Sequence, residues 1–85
     1  MASRFGNTVS LKRFMLRSEV LKLYREMMRA IRQVPDASHR RELTEWVRYD
    51  FKQNKHHQDE ETIKMMLTKG RMSLKELESA IHLAR

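Results

Sequence analysis

Apolar residues recur along this chain at helical intervals, in three runs separated by short polar breaks. In the first run Leu16, Val20, Leu23, Met27, Ile31 and Val34 fall on one stripe of a 3.6-residue wheel. Ser10 is the expected N-cap, and Val34-Pro35 the expected stop, for a helix over about 11–33. Tyr24 lies at the edge of the stripe, while Phe14 and Leu21 widen the apolar area beyond what one helix–helix contact requires, next to Arg25 and Arg32.

The second run follows the Pro35-Asp36 turn, and Asp36 or Ser38 is placed to cap a helix over 37–54. Leu43, Trp46, Val47 and Phe51 share about a third of its circumference, bordered by Arg41, Arg48, Lys52 and Lys55. Asp50 falls inside that apolar arc, where a carboxylate needs a partner; an arginine of the first helix is the expected one. Lys55-His56-His57-Gln58 reads as a loop, with Asp59 capping a third helix over 59–84. There Ile63, Leu67, Gly70, Leu74, Leu77, Ile81 and Ala84 are spaced 4-3-4-3-4-3, a heptad seam running through a glycine. A break at Gly70 with a restart at Ser73, completed by Glu76, is the competing reading. The unbroken seam favours one helix, although glycine costs about 1 kcal/mol against alanine there. Gly70 then faces inward, where its missing side chain leaves space.

The sum is an all-α, antiparallel three-helix bundle over residues 11–85, preceded by a flexible basic segment at 1–10. With 85 residues, two glycines and one proline, the chain has little material for hairpins and a core that is marginal for its size. Seven methionines are many for such a core; Met27, Met28, Met65, Met66 and Met72 can line an adaptable interior or groove. No apolar run approaches the roughly 20 residues that span a bilayer.

Charge narrows the function classes. A net charge of +7 predicts an anionic partner, whether nucleic acid, anionic lipid or acidic protein. The excess sits on the first two helices: from 59 to 85, Lys64, Lys69, Arg71, Lys75 and Arg85 balance Asp59, Glu60, Glu61, Glu76 and Glu78. A homeodomain-like nucleic-acid binder, the alternative from another class, needs a basic third helix. An amphipathic membrane-surface binder rests on the first segment alone. Residues 1–18 hold Arg4, Lys12, Arg13 and Arg17 with no acid, the composition of a mitochondrial targeting signal or of a frayed basic tail. With no cysteine there is no disulfide, thiolate metal site or thiol nucleophile. His39, His56, His57 and His82 lack metal-ligand spacing, and neither a nucleophile elbow nor a phosphate loop is present, so no enzyme is expected.

Leu23-Tyr24-Arg25, Arg48-x-x-Phe51-x-x-Asn54-Lys55, and Thr62-Ile63 followed by Leu67, Gly70 and Leu77 resemble the LYR-motif family of small mitochondrial adaptor proteins. Ile31-Arg32-Gln33-Val34-Pro35, Glu61 to Met66 and Leu74 to Glu78 are more specific than the tripeptide and extend the resemblance over nearly the whole chain. The resemblance implies a matrix adaptor with no cofactor of its own and no nucleic-acid partner. It implies binding to the mitochondrial acyl carrier protein, whose acyl-phosphopantetheine arm inserts its chain between the helices, in support of respiratory complex I assembly or activity. Carried onto this chain, Arg17, Tyr24, Arg25, Arg48, Lys52 and Lys55 would meet the acidic carrier. Leu23, Met27, Val47, Phe51, Met66 and Gly70 would line the acyl chain. Each has a plainer reading: Leu23 and Phe51 as core, Tyr24 as a boundary residue, and the cations as solubilising charge.

Overall fold

The computed structural model describes residues 3–55 and 59–84, with side chains from residue 11 onward in the first helix. The expected loop at His56, His57 and Gln58, and the charge of Arg85, lie outside the described residues. Three helices follow one another: α1 (Ser3–Ile31), α2 (Ala37–Asn54) and α3 (Glu60–Ala84). The all-α three-helix class holds.

The first helix begins earlier than its sequence suggests. Residues 3–10, expected as a flexible segment, are continuous with α1, and Ser10 sits within the helix instead of capping it. No proline lies in that stretch, Gly6 and Asn7 lower helix propensity without forbidding it, and serine is tolerated in helix interiors at a few tenths of a kcal/mol. At the other end α1 stops at Ile31, two residues before the expected boundary. The chain there tightens into i→i−3 bonds, with Gln33 N–H donating to Ala30 O and Val34 N–H to Ile31 O. The Arg40 guanidinium closes the turn by donating to Val34 O at 2.6 Å and Pro35 O at 3.1 Å, carbonyls of the connection between α1 and α2.

Asp36 is the N-cap of α2, its carboxylate accepting from Ser38 N–H at 3.0 Å. At the start of α3 Asp59 accepts from the Thr62 hydroxyl at 2.8 Å, and its carbonyl accepts from Ile63 N–H. Glu60 forms an ion pair with Lys64 one turn on at 3.1 Å. That hydrogen bond, then the Lys64 charge, holds the Glu60 carboxyl below the usual carboxylate range.

The core is one cluster: Leu23, Met27, Ala30, Ile31 and Val34 from the first helix and its turn, Val47 from α2, and Leu67, Leu74 and Ile81 from α3. The last three are one heptad apart, so the seam passes unbroken through Gly70 and the competing helix break does not occur. Ala84, at the end of the seam, is exposed. Gly70 leaves no void. A Cβ built on it would fall well inside van der Waals contact with Leu23 Cδ2, so the glycine exists to let that leucine lie against the α3 backbone.

The helices do not form a closed triangle. α1 packs along both neighbours, while α2 and α3 scarcely touch each other. Arg71 of α3 and Glu19 of α1, 2.8 Å apart and half exposed, tie the α1–α3 edge from outside.

Candidate functional site

The sparse contact between α2 and α3 leaves a groove of about 430 Å³ between those helices, within the range of small-ligand sites. Leu23 and Met27 of α1 form its floor. Val47 and Phe51 stand on the α2 wall, Met66 and Gly70 on the α3 wall. The six apolar positions singled out from the sequence therefore share one groove.

The Leu-Tyr-Arg tripeptide lies where the three helices meet. Leu23, 3% exposed, is directed at Gly70 of α3. Tyr24, next along, is half-buried and meets Phe51 of α2 edge to face, with ring centroids 5.2 Å apart and planes at 69°. One residue thus anchors each neighbour, and the T-shaped pair closes the α1–α2 side beside the groove. Arg25 continues outward into solvent.

Arg17, Arg25, Arg48, Lys52 and Lys55 are all exposed, and none of their charged groups makes an ion pair or hydrogen bond among the described residues. Arg17 lies two turns before Tyr24; Arg48 and Lys55 lie one turn to either side of Phe51. The cations therefore bracket the aromatic pair on α1 and α2. Without an intramolecular partner among the described residues, they are available to an incoming anionic surface.

Two expectations for α2 need correction. Asp50 is exposed at the groove, with no ion pair to an arginine of α1 among the described residues. Trp46 is not core: it is 57% exposed and stands on the groove rim. Both follow from the open geometry, because the part of α2 that would face α3 faces solvent. Of the methionines, Met27, Met65 and Met66 line the groove, whereas Met28 and Met72 do not.

Sequence reasoning missed Asn54, Thr62, Lys69 and Ser73, which supply polar groups along the walls. A signal existed for the α3 members. Thr62, Met66, Lys69 and Ser73 are spaced 4-3-4, placing them on one flank beside the seam.

A second hollow of similar size lies between the C-terminal halves of α1 and α3, lined by Glu26, Arg29, Glu78 and His82 over Leu74 and Ile81. Among the described residues no cluster of three or more His, Asp or Glu could hold a metal ion, and no helix is long and apolar enough to cross a membrane.

Residues 18–76 match the family described as Complex 1 protein (LYR family). The chain is 54% identical over 78 residues to LYR motif-containing protein 2 of Bos taurus, covering 92% of this chain and 89% of that one. It is 54% identical over 76 residues to the Mus musculus protein of that name, covering 89% and 86%, and 49% identical over 78 residues to the Homo sapiens one, covering 92% and 89%. No solved structure matches significantly.

Proposed function

Because this chain belongs to the LYR family of complex 1 proteins, we propose that it is a non-catalytic mitochondrial adaptor for the acyl carrier protein of the matrix. It takes the carrier's acyl chain into the α2–α3 groove and supports assembly or activity of respiratory complex I. The observation that carries this reading is the groove itself, with an apolar floor and polar groups along its walls, while unpaired cations bracket the Tyr24–Phe51 pair on α1 and α2.

The division of labour follows from the residue types. Arg17, Arg25, Arg48, Lys52 and Lys55 attract an acidic carrier and orient it, mainly by raising the association rate. Arginine and lysine donors then make charge-assisted hydrogen bonds to its carboxylates. Asn54, Thr62 and Ser73 can satisfy the amides of a phosphopantetheine arm, which would otherwise be desolvated at a cost. The acyl chain covers Leu23, Met27, Val47, Met66 and Gly70, and Phe51 pivots at the mouth. Each buried methylene contributes about 0.8 kcal/mol, so roughly eight of them supply about 6 kcal/mol before ordering costs. Such a ligand stabilises a small open bundle by linkage. Acyl-phosphopantetheine arrives with the partner and is not a resident cofactor. The basic stretch at the N-terminus serves targeting in this reading.

Native mass spectrometry of the purified protein with its co-purifying partner tests the proposal. The expected species is a one-to-one complex with an acidic carrier bearing a long acyl group. Equal affinity for apo and acylated carrier would sink the groove mechanism, and binding to generic DNA with no affinity for the carrier would replace it with nucleic-acid recognition.

A further inference from the structure

Every apolar side chain on the α3 wall of the groove carries a thioether. That wall consists of Thr62, Met65, Met66, Lys69, Gly70 and Ser73, so two adjacent methionines supply all of its apolar character. Set about 100° apart on the helix, they divide the wall in depth. Met66 is half-buried, and Met65, 60% exposed, stands at the rim. The rest of the groove is built otherwise. Trp46, Val47 and Phe51 on the α2 wall carry no sulfur, and Met27 in the floor is only 5% exposed.

Met15 and Met72 are as open to solvent as Met65, at 59 and 60%, but neither lines the groove. The chain has no cysteine, so a hydroperoxide meets no thiol in it and its targets are the exposed thioethers. Oxidation at Met15 or Met72 alters solvated surface alone. At Met65 and Met66 it alters the surface that an occupant of the groove must touch.

We propose that Met65 and Met66 form an oxidation-sensitive site through which hydroperoxides lower the affinity of the groove for an acyl chain, an inference that rests on the proposed function. A sulfur lone pair attacks one oxygen of hydrogen peroxide; the S–O bond forms as the O–O bond breaks. The proton on the transferred oxygen passes to the departing hydroxide, which leaves as water. Sulfur gives up two electrons and the peroxide takes them. The resulting sulfoxide is polar, and its oxygen is hydrated in the open groove. An acyl chain laid against it removes that water and offers no donor in return, a cost that the thioether does not impose. Oxidised at both positions, the α3 wall has no apolar side chain left between Thr62 and Ser73, while the floor and the α2 wall stay apolar. Acyl binding is therefore weakened and not lost.

The full chain treated with hydrogen peroxide tests this, with peptide mass spectrometry reading each methionine. Met15, Met65 and Met72 should oxidise fastest, Met66 more slowly and Met27 last. Once Met65 and Met66 are converted, titration calorimetry should show binding to a carrier with a long acyl chain weakened on the order of ten- to a hundred-fold. Binding to the apo carrier should not change. The loss should persist in Met15→Leu with Met72→Leu. In Met65→Leu with Met66→Leu, whatever its own affinity, peroxide should leave that affinity where it was. Unchanged acyl binding after oxidation, a loss that vanishes with Met15 and Met72, or one that persists without Met65 and Met66 would overturn the site and leave the adaptor reading standing. Met66 as resistant as Met27, or helical circular dichroism lost on oxidation, would overturn it too. Failure of the unoxidised protein to prefer the acylated carrier would instead overturn the adaptor reading, and this site with it.

Discussion

Replacing Leu23 and Gly70 with alanine, singly and together, isolates the contact on which the α1–α3 packing turns. Leu23→Ala removes a side chain that is 3% exposed and rests on a residue with no side chain to move into the gap. Collapse is therefore limited, which puts the cost in the upper part of the usual range, about 3–5 kcal/mol. Gly70→Ala alone gains about 1 kcal/mol of helix propensity. It also drives a methyl into Leu23 Cδ2, and overpacking of that kind costs about 1–3 kcal/mol. The net is a destabilisation of roughly 0–2 kcal/mol. In the Leu23→Ala background the clash is gone and the new methyl enters the vacated space, so Gly70→Ala changes sign and stabilises by about 1 kcal/mol. The coupling between the sites is then about 1–3 kcal/mol. Urea unfolding followed by circular dichroism measures all four proteins, with trimethylamine N-oxide present so that the weakest still folds. Additivity within about 0.5 kcal/mol would refute the argument, because it would mean that Leu23 and Gly70 do not share space.

Charge reversal at Arg48 together with Lys55 should abolish carrier binding in a pull-down while leaving the helical circular dichroism intact; retained binding would place the partner on another face. Arg40→Ala should cost about 1–2 kcal/mol in denaturant unfolding, since it leaves the Val34 and Pro35 carbonyls without their donor. Lys64→Gln should raise the Glu60 titration midpoint toward that of an ordinary carboxylate, as read by NMR. Glu60 is depressed in the folded protein, so its small contribution is present above the unfolded carboxylate pKa and fades as pH falls through the folded one. The variant should lose that acid-side dependence, and an unchanged titration would show that Lys64 is not its cause.

Periodicity served well where a neighbour is present. The α3 seam, the α1 stripe and the glycine between them are properties of side-chain spacing, and spacing is written in the chain. Trp46 and Asp50 show where it runs out. A wheel identifies the arc of α2 that a neighbour can cover, but not whether one covers it, and here only the Val47 side is sealed. The start of α1 failed for another reason: a serine before an apolar run is a cap only if the preceding residues leave the helix, and nothing at 3–10 makes them leave. Gly70 was correctly placed inward, yet its purpose was invisible, because no local pattern says which residue of another helix will lean on it. The polar wall of the groove went unnoticed since serine, threonine and asparagine on a helix flank read as ordinary surface.

Because α2 and α3 are joined through α1 and hardly to each other, either can peel away without carrying the other with it. Two loosely coupled transitions, with α2 opening at lower free energy than α3, should appear in native-state hydrogen exchange. An occupant that touches both walls binds these two events into one. On the proposed function, the acyl chain would then decide whether this chain unfolds in parts or all at once, and cooperativity itself would be a property borrowed from the ligand.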